Sequence, residues 1–250
     1  MEDNYGFIKD EVVPEDYIFG VSLPFDEWQS DGNWVEHLPK IELQSRSFES
    51  YSCVPHTILN CVEILIRRQY GEERDYSDRF LAVLADTKQG GSSPKAVLQF
   101  LRKIGVPMDK DLPFVDNQDE YFKELNPKLM ELAKDFIEEW DLRYEDVPQK
   151  DIEEALKTSP LAVSVPAWTQ EGDFYTRRQG KRDNHFTTMY KKDWVFDTYV
   201  DNSGGVLKPL KDIDHEVIKR FRITKRVKDN LKDTDNWVID LLKRLLNIFK

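Results

Sequence analysis

Apolar positions recur at helical spacing early in the chain and at alternating spacing late in it. Behind Cys53, residues 54–66 place Ile58, Cys61, Val62 and Leu65 on one face of a helix. Pro55 is tolerated only in a first turn, so that helix starts at Cys53. Further helices are predicted at 78–85, 93–104 and 127–140. Ser92 or Ser93 with Pro94 supplies a cap and first turn for the second of these, and Gly105 a stop. After a short helix at 151–157, the pattern turns strand-like at 161–165, 185–190, 194–199 and 221–224. The connector Lys191-Lys192-Asp193 is short enough to make 185–190 and 194–199 an antiparallel hairpin. Helices followed by strands define an α+β chain.

The two ends break this pattern. Residues 1–52 hold Pro14, Pro24, Pro39 and a Trp28/Trp34 pair but few periodic runs, and read as an extended segment laid over a core. At the other end, Thr234-Asp235-Asn236 caps residues 237–249, where Asn236, Asp240, Lys243, Asn247 and Lys250 leave only a narrow polar stripe. An amphipathic helix at 234–250 is expected, too short to span a bilayer. Packing on the protein itself or on another copy is the plainest role for 235–250, with contact to a membrane surface the alternative.

A net charge of −11 argues against general nucleic-acid binding, although residues 207–250 carry a net +5. Two cysteines and no apolar N-terminal leader point to a cytoplasmic chain without a disulfide framework. Gly90-Gly91 is too short to cradle phosphate, and no dinucleotide fingerprint is present. Histidines dispersed at 37, 56, 185 and 215 give little support to a zinc site, so neither metal nor cofactor is expected.

Candidate chemistry centres on Cys53. At a helix start, unpaired N–H groups favour a thiolate. A buried hydrophobe is the alternative, and it suits Cys61, roughly 12 Å further along the helix. A thiol nucleophile needs a base and a group to hold that base. His185 and Asp197, on adjacent strands of the expected hairpin, can supply them from one wall. His56 is expected to be structural or solvated, and His37 and His215 to face solvent.

The order of these blocks resembles the papain-like cysteine peptidases. Gln44, Cys53 and Glu63 resemble that family's Gln…Cys…Glu block, and Gly90-Gly91 with the helix behind it resembles its Gly-Gly segment. Leu112-Pro113-Phe114 is similar to its Tyr-Pro-Tyr-like turn. Residues 159–165, Asp183-Asn184-His185-Phe186 and 194–199 resemble the strands that open its β lobe, bear its base and carry its orienting residue. Residues 34–44 also look like the start of uncharacterised papain-like proteins of bacterial viruses, which would place the chain in an infected bacterial host.

The resemblance, covering about 40–225, implies a two-lobed α+β fold over 1–233, with a helical lobe at 53–140, a β lobe at 150–225 and a cleft between them. It further implies Cys53 as nucleophile, His185 as base and acid, and Asp197 as orienting group. Gln44 would be half of an oxyanion hole, and Gly90 and Gly91 would border the substrate pocket. The implied activity is hydrolysis of a peptide or isopeptide amide through a thioester, in a polypeptide or cell-wall peptide. A catalytically silent binding or scaffold protein, assembled or membrane-attached through its C-terminal helix, is the alternative.

The chain departs from the family at four places. The step from Gln44 to Cys53 is long, which makes Ser50 or Ser52 substitute oxyanion donors. Tyr51-Ser52 replaces glycines before the nucleophile, and Val54 replaces the tryptophan after it. Asp197 stands where an asparagine is usual.

Overall fold

The computed structural model describes residues 4–11, 29–177, 180–201 and 203–226. The helix expected at 234–250 lies outside them. The central element is α1, Cys53–Tyr70, which is buried on every side from Cys53 to Ile66 and not along one stripe alone. The reason is its position between two layers: it packs against sheet strands and against the helices α2, Asp78–Leu84, and α3, Pro94–Lys103. Gly71, in the left-handed region at φ +66°, ends it.

Local chemistry explains the shorter helices. Ser77 Oγ accepts the Phe80 N–H at the start of α2, and Ser93 Oγ accepts the Ala96 N–H at the start of α3. Gly105 follows α3 at φ +89°, and a Cβ there would lie 1.9 Å from the Ala133 carbonyl oxygen. That close approach seats α3 on α5, Pro127–Glu139; α4 is the single turn Gln118–Tyr121. A last short helix, α6, spans Ile152–Leu156.

Eight strands form one mixed sheet: β1 Trp140–Asp146, β2 Leu161–Val165, β3 Thr169–Glu171, β4 Phe174–Thr176, β5 His185–Lys191, β6 Trp194–Phe196, β7 Leu207–Lys211 and β8 Ile218–Lys225. Their order is β1-β8-β2-β5-β6-β7-β4-β3, antiparallel except between β4 and β7. The predicted hairpin is present as β5 and β6, turning at Asp193 with φ +58°. β1 corrects the expected end of the helical region. Trp140 already has extended backbone and pairs with Lys225, while Trp140, Leu142 and Tyr144 alternate inward. The β region therefore opens at Trp140. β6 stops at Phe196 instead of reaching Tyr199, and β8 begins at Ile218, three residues before the predicted run.

The described parts of the N-terminal segment contain one short 3-10 turn, Val35–His37, and reach the core through Phe7 and Trp34. Trp34 is wholly buried and donates its indole N–H to the Leu156 carbonyl at 2.9 Å. Among the described residues, no helix is long and apolar enough to cross a membrane.

Candidate active site

Helix α1 and strand β5 bring the nucleophile and base candidates together. Thr57 Oγ1 of α1 donates to the Phe186 carbonyl at 3.0 Å, and the Phe186 backbone N–H points at the Cys53 sulfur. Cys53 is the first residue of α1, and His185, the first of β5, is joined directly to Phe186. His185 Nε2 lies 2.6 Å from Asp197 Oδ1. Asp197 follows β6 directly, so the hairpin carries both partners on one wall.

The carboxylate fixes the imidazole tautomer. Burial would raise the Asp197 carboxyl, but His185 and Lys208 outweigh it and hold it below the ordinary value. An ionised Asp197 can only accept, so Nε2 carries the proton and Nδ1 is left as an acceptor. Nδ1 is buried and has no hydrogen-bond partner among the described residues. Asp197 Oδ1 also accepts the Thr198 N–H at 2.7 Å.

Gln44 is fully buried and held on both ends. Its Oε1 accepts from Thr198 Oγ1 at 2.7 Å, and its Nε2 donates to the Tyr5 carbonyl and Glu49 Oε1, both at 2.9 Å, with Tyr199 Oη at 2.8 Å. Ser50 and Ser52 have their hydroxyls within 2.5 Å of each other, and Ser50 Oγ donates to the Gln44 carbonyl. Tyr51 adopts φ +54°, the left-handed region that glycine enters most cheaply. Its N–H donates to Glu49 Oε1 at 2.8 Å, and that bond helps hold it there.

Residues 4–8 run across this site. The Tyr5 N–H donates to the Asn184 carbonyl, the Ser92 N–H to the Gly6 carbonyl and the Ile8 N–H to the Ser92 carbonyl, each at 3.0 Å. Asn4 Nδ2 donates to the Gly90 carbonyl at 2.6 Å. Gly90 and Gly91, both at φ +109°, thus lie directly against the N-terminal segment. The Tyr5 ring lies 6.0 Å from the His185 ring, and Trp168 and Tyr199 complete an aromatic enclosure at 5.9 and 5.4 Å.

Enclosure changes the expected state of the thiol. Cys53 is 0% and His185 1% exposed. Burial pushes the Cys53 thiol well up, further than the Phe186 and Val54 N–H groups pull it down, and the charges of Glu49 and Asp197 add to the rise. The helix start alone predicts a thiolate; in this closed arrangement desolvation wins and the thiol is neutral.

Other candidates have structural partners. Cys61 is buried, with its thiol pushed up by desolvation. Glu63 Oε1 accepts the Tyr76 N–H at 2.8 Å. His56 is buried between the Ser52 carbonyl at 2.9 Å and Asp78 Oδ2 at 3.4 Å. His215 is half-buried, with its Nδ1 2.7 Å from the Ser164 carbonyl, and burial lowers its pKa. His37 is half-buried.

Glu42, Asp75 and Asp109 bring carboxylate oxygens within 4.8 Å of one another. Lys40 Nζ already lies 3.8 Å from Glu42 and 3.7 Å from Asp75. Of the groups at the candidate active site, Glu49, Lys208, Tyr5 and Trp168 carried no readable sequence signal. Tyr199 could have been flagged by its closeness to Asp197.

These features define a papain-like fold. No family model and no curated protein matches the sequence, whereas the fold matches solved structures. The fold is similar to xylellain, a cysteine protease from Xylella fastidiosa, with TM-score 0.58 and 14% identity, covering 90% of this chain and 97% of that one. It is also similar to the cysteine protease and lectin-like domains of a surface layer associated protein of Clostridium difficile, with TM-score 0.60 and 11% identity over 78% of this chain. The match spans about half, 51%, of that longer chain. Digestive procathepsin L 3 of Tenebrio molitor larval midgut gives TM-score 0.55 and 15% identity, over 87% of this chain and 75% of its own.

Proposed function

We propose that this chain is a thiol-dependent hydrolase of peptide or isopeptide amide bonds, with Cys53, His185 and Asp197 as its triad. The observation that carries the reading is the His185–Asp197 contact at 2.6 Å, which leaves His185 Nδ1 as a free acceptor beside the helix that begins with Cys53. Nδ1 takes the thiol proton, and the sulfur attacks the amide carbonyl. The imidazolium then protonates the leaving amine, and the same ring activates the water that cleaves the thioester.

Gln44 Nε2 and the Cys53 N–H stabilise the oxyanion. Gln44 Nε2 already holds a carbonyl oxygen, that of Tyr5, which supports this role. An extended polypeptide backbone, residues 4–8, already lies against Gly90 and Gly91, which supports a polypeptide or the peptide part of a cell wall as substrate. That segment must lift before any substrate carbonyl reaches Cys53.

The test is adduct formation between the full-length protein and a peptidyl electrophile across pH, read on Cys53 by mass spectrometry. Once residues 4–8 have lifted for the probe, labelling at about pH 6–7, below the reference thiol value of about 8.5, is expected. It should vanish in Cys53→Ala and slow roughly 10²–10⁴-fold in His185→Ala. Labelling only at alkaline pH, indifferent to His185→Ala, would overturn the reading and favour a silent binding protein.

A further inference from the structure

Asp197 has a second partner that the triad chemistry does not use. Lys208, in β7, is 2% exposed; its Nζ donates to Asp197 Oδ2 and, at 2.9 Å, to the Tyr199 carbonyl. Its ammonium group also sits over the Trp168 and Tyr175 rings, 5.3 and 5.5 Å from their centroids. A buried lysine is costly unless its charge is matched. Here the carboxylate, a carbonyl and two aromatic faces match it.

The charge count shows what this does to the base. A carboxylate buried against an imidazole, with no other cation near, favours the imidazolium. An imidazole that already holds both protons cannot take one from a thiol. With Lys208 on its other oxygen, Asp197 can still accept the His185 N–H and orient the ring, but its charge is already balanced.

We infer that Lys208 is a positioning residue that balances the charge of the Asp197 carboxylate from its other oxygen, so that Asp197 orients the His185 ring without setting the ring's charge. The remaining titratable groups facing this trio are Cys53 from α1, Tyr175 from β4, Tyr5 from the N-terminal segment, and Tyr199 with its partner Glu49. Asp201, the other nearby carboxylate, accepts the Ser203 and Gly205 N–H groups of its own turn. Lys208 is the cation that bonds Asp197 directly.

The inference rests on His185 being the base, yet its readout needs neither substrate nor a reactive thiol. The measurement is the pH midpoint of the His185 imidazole nitrogen resonances in the full chain, assigned by their loss in His185→Gln. Lys208→Met should raise that midpoint by roughly 1–3 units, the usual effect of an unmatched charge at this range. Asp197→Asn should lower it, because Lys208 is then the unmatched charge. The double variant Asp197→Asn with Lys208→Met should return to within about half a unit of the parent, and Lys208→Arg should stay near the parent.

An unchanged midpoint in folded Lys208→Met, or a double variant displaced as far as a single one, would overturn the inference. Should Lys208→Met fail to fold, the step from Asp197→Asn to the double variant still decides it: no upward return overturns it. Failure of Cys53 labelling alongside the expected midpoints would sink the hydrolase reading and leave this electrostatic one standing.

Discussion

Two buried acid sites near the start of α1 show how the balance of charges around a carboxyl sets its protonation. Asp197 and Asp78 are both buried aspartates and each lies beside a histidine. At Asp197, His185 first and then Lys208 outweigh burial and hold the carboxyl below the ordinary value. Asp78 instead shares its surroundings with Glu42, Asp75 and Asp109; burial, reinforced by Asp109 and Asp75, pushes it up to about 7. Glu42 is pushed up to about 8 by burial and then by Asp78. Burial thus leaves an ionised carboxylate at one site and carboxyls with raised values at the other. Histidine alone does not supply the missing charge, since burial lowers His56 and keeps it neutral.

The sharpest test of the contrast is replacement of each aspartate. Asp197→Ala removes the group that orients the base, and Cys53 labelling should slow roughly 10²–10⁴-fold. Asp78→Asn keeps a neutral side chain where a neutral acid stood, and labelling should stay within about twofold of the parent. Equal losses in the two would break the distinction.

A smaller effect is expected from opening the enclosure over the Asp197 site. A Cβ on Gly6 would lie 2.1 Å from the Tyr51 carbonyl oxygen, so Gly6→Ala forces residues 4–8 away without touching the triad. Exposure of a buried thiol follows the local opening equilibrium, and about 1.4 kcal/mol of destabilisation raises labelling tenfold. At least that rise is expected in a rate measurement; no rise would mean that the segment does not limit access.

The smallest effect lies in stability against pH, and its sign differs between the sites. Glu42 and Asp78 have raised folded values, so their contribution is complete below the ordinary 4.5 and 3.8 and is lost as pH climbs to about 8 and about 7. Asp197 does the reverse: its contribution is present above 3.8 and lost as pH falls through its depressed folded value. Between about pH 5 and 8 the melting temperature should therefore fall by a few degrees, and Glu42→Gln should flatten that slope. A melting temperature that rises across this range in the parent would contradict the assignment.

The helix bearing Cys53, its proline-containing first turn and the hairpin bearing His185 and Asp197 were legible because each is written in adjacent residues. β7 was not: Leu207-Lys208-Pro209-Leu210-Lys211 carries two lysines and a proline, and it becomes a strand through pairing with β6 and β4. Lys208 was hidden for the same reason, since its meaning depends on a carboxylate on a neighbouring strand. β3 and β4 are three-residue strands at the sheet's end, too short to show a period. The burial that raises the Cys53 thiol was not legible either, because the helix start is local whereas Tyr5, Trp168 and Tyr199, which enclose its neighbour His185, are remote in sequence. The match of residues 4–8 to Gly90-Gly91 left no pattern, being made through backbone atoms.

That backbone contact sets a rule about shape. Gly91 is stacked on the Gly6 carbonyl, where a Cβ would come within 2.2 Å, and Gly6 is stacked in turn on Tyr51. Three main chains touch there with no side chain between them, so at that one place a segment in this register is selected by thinness. Its neighbours are held by side chains, Asn4 on Gly90 and Phe7 stacked on Phe186, whereas one added methyl group at position 6 is refused.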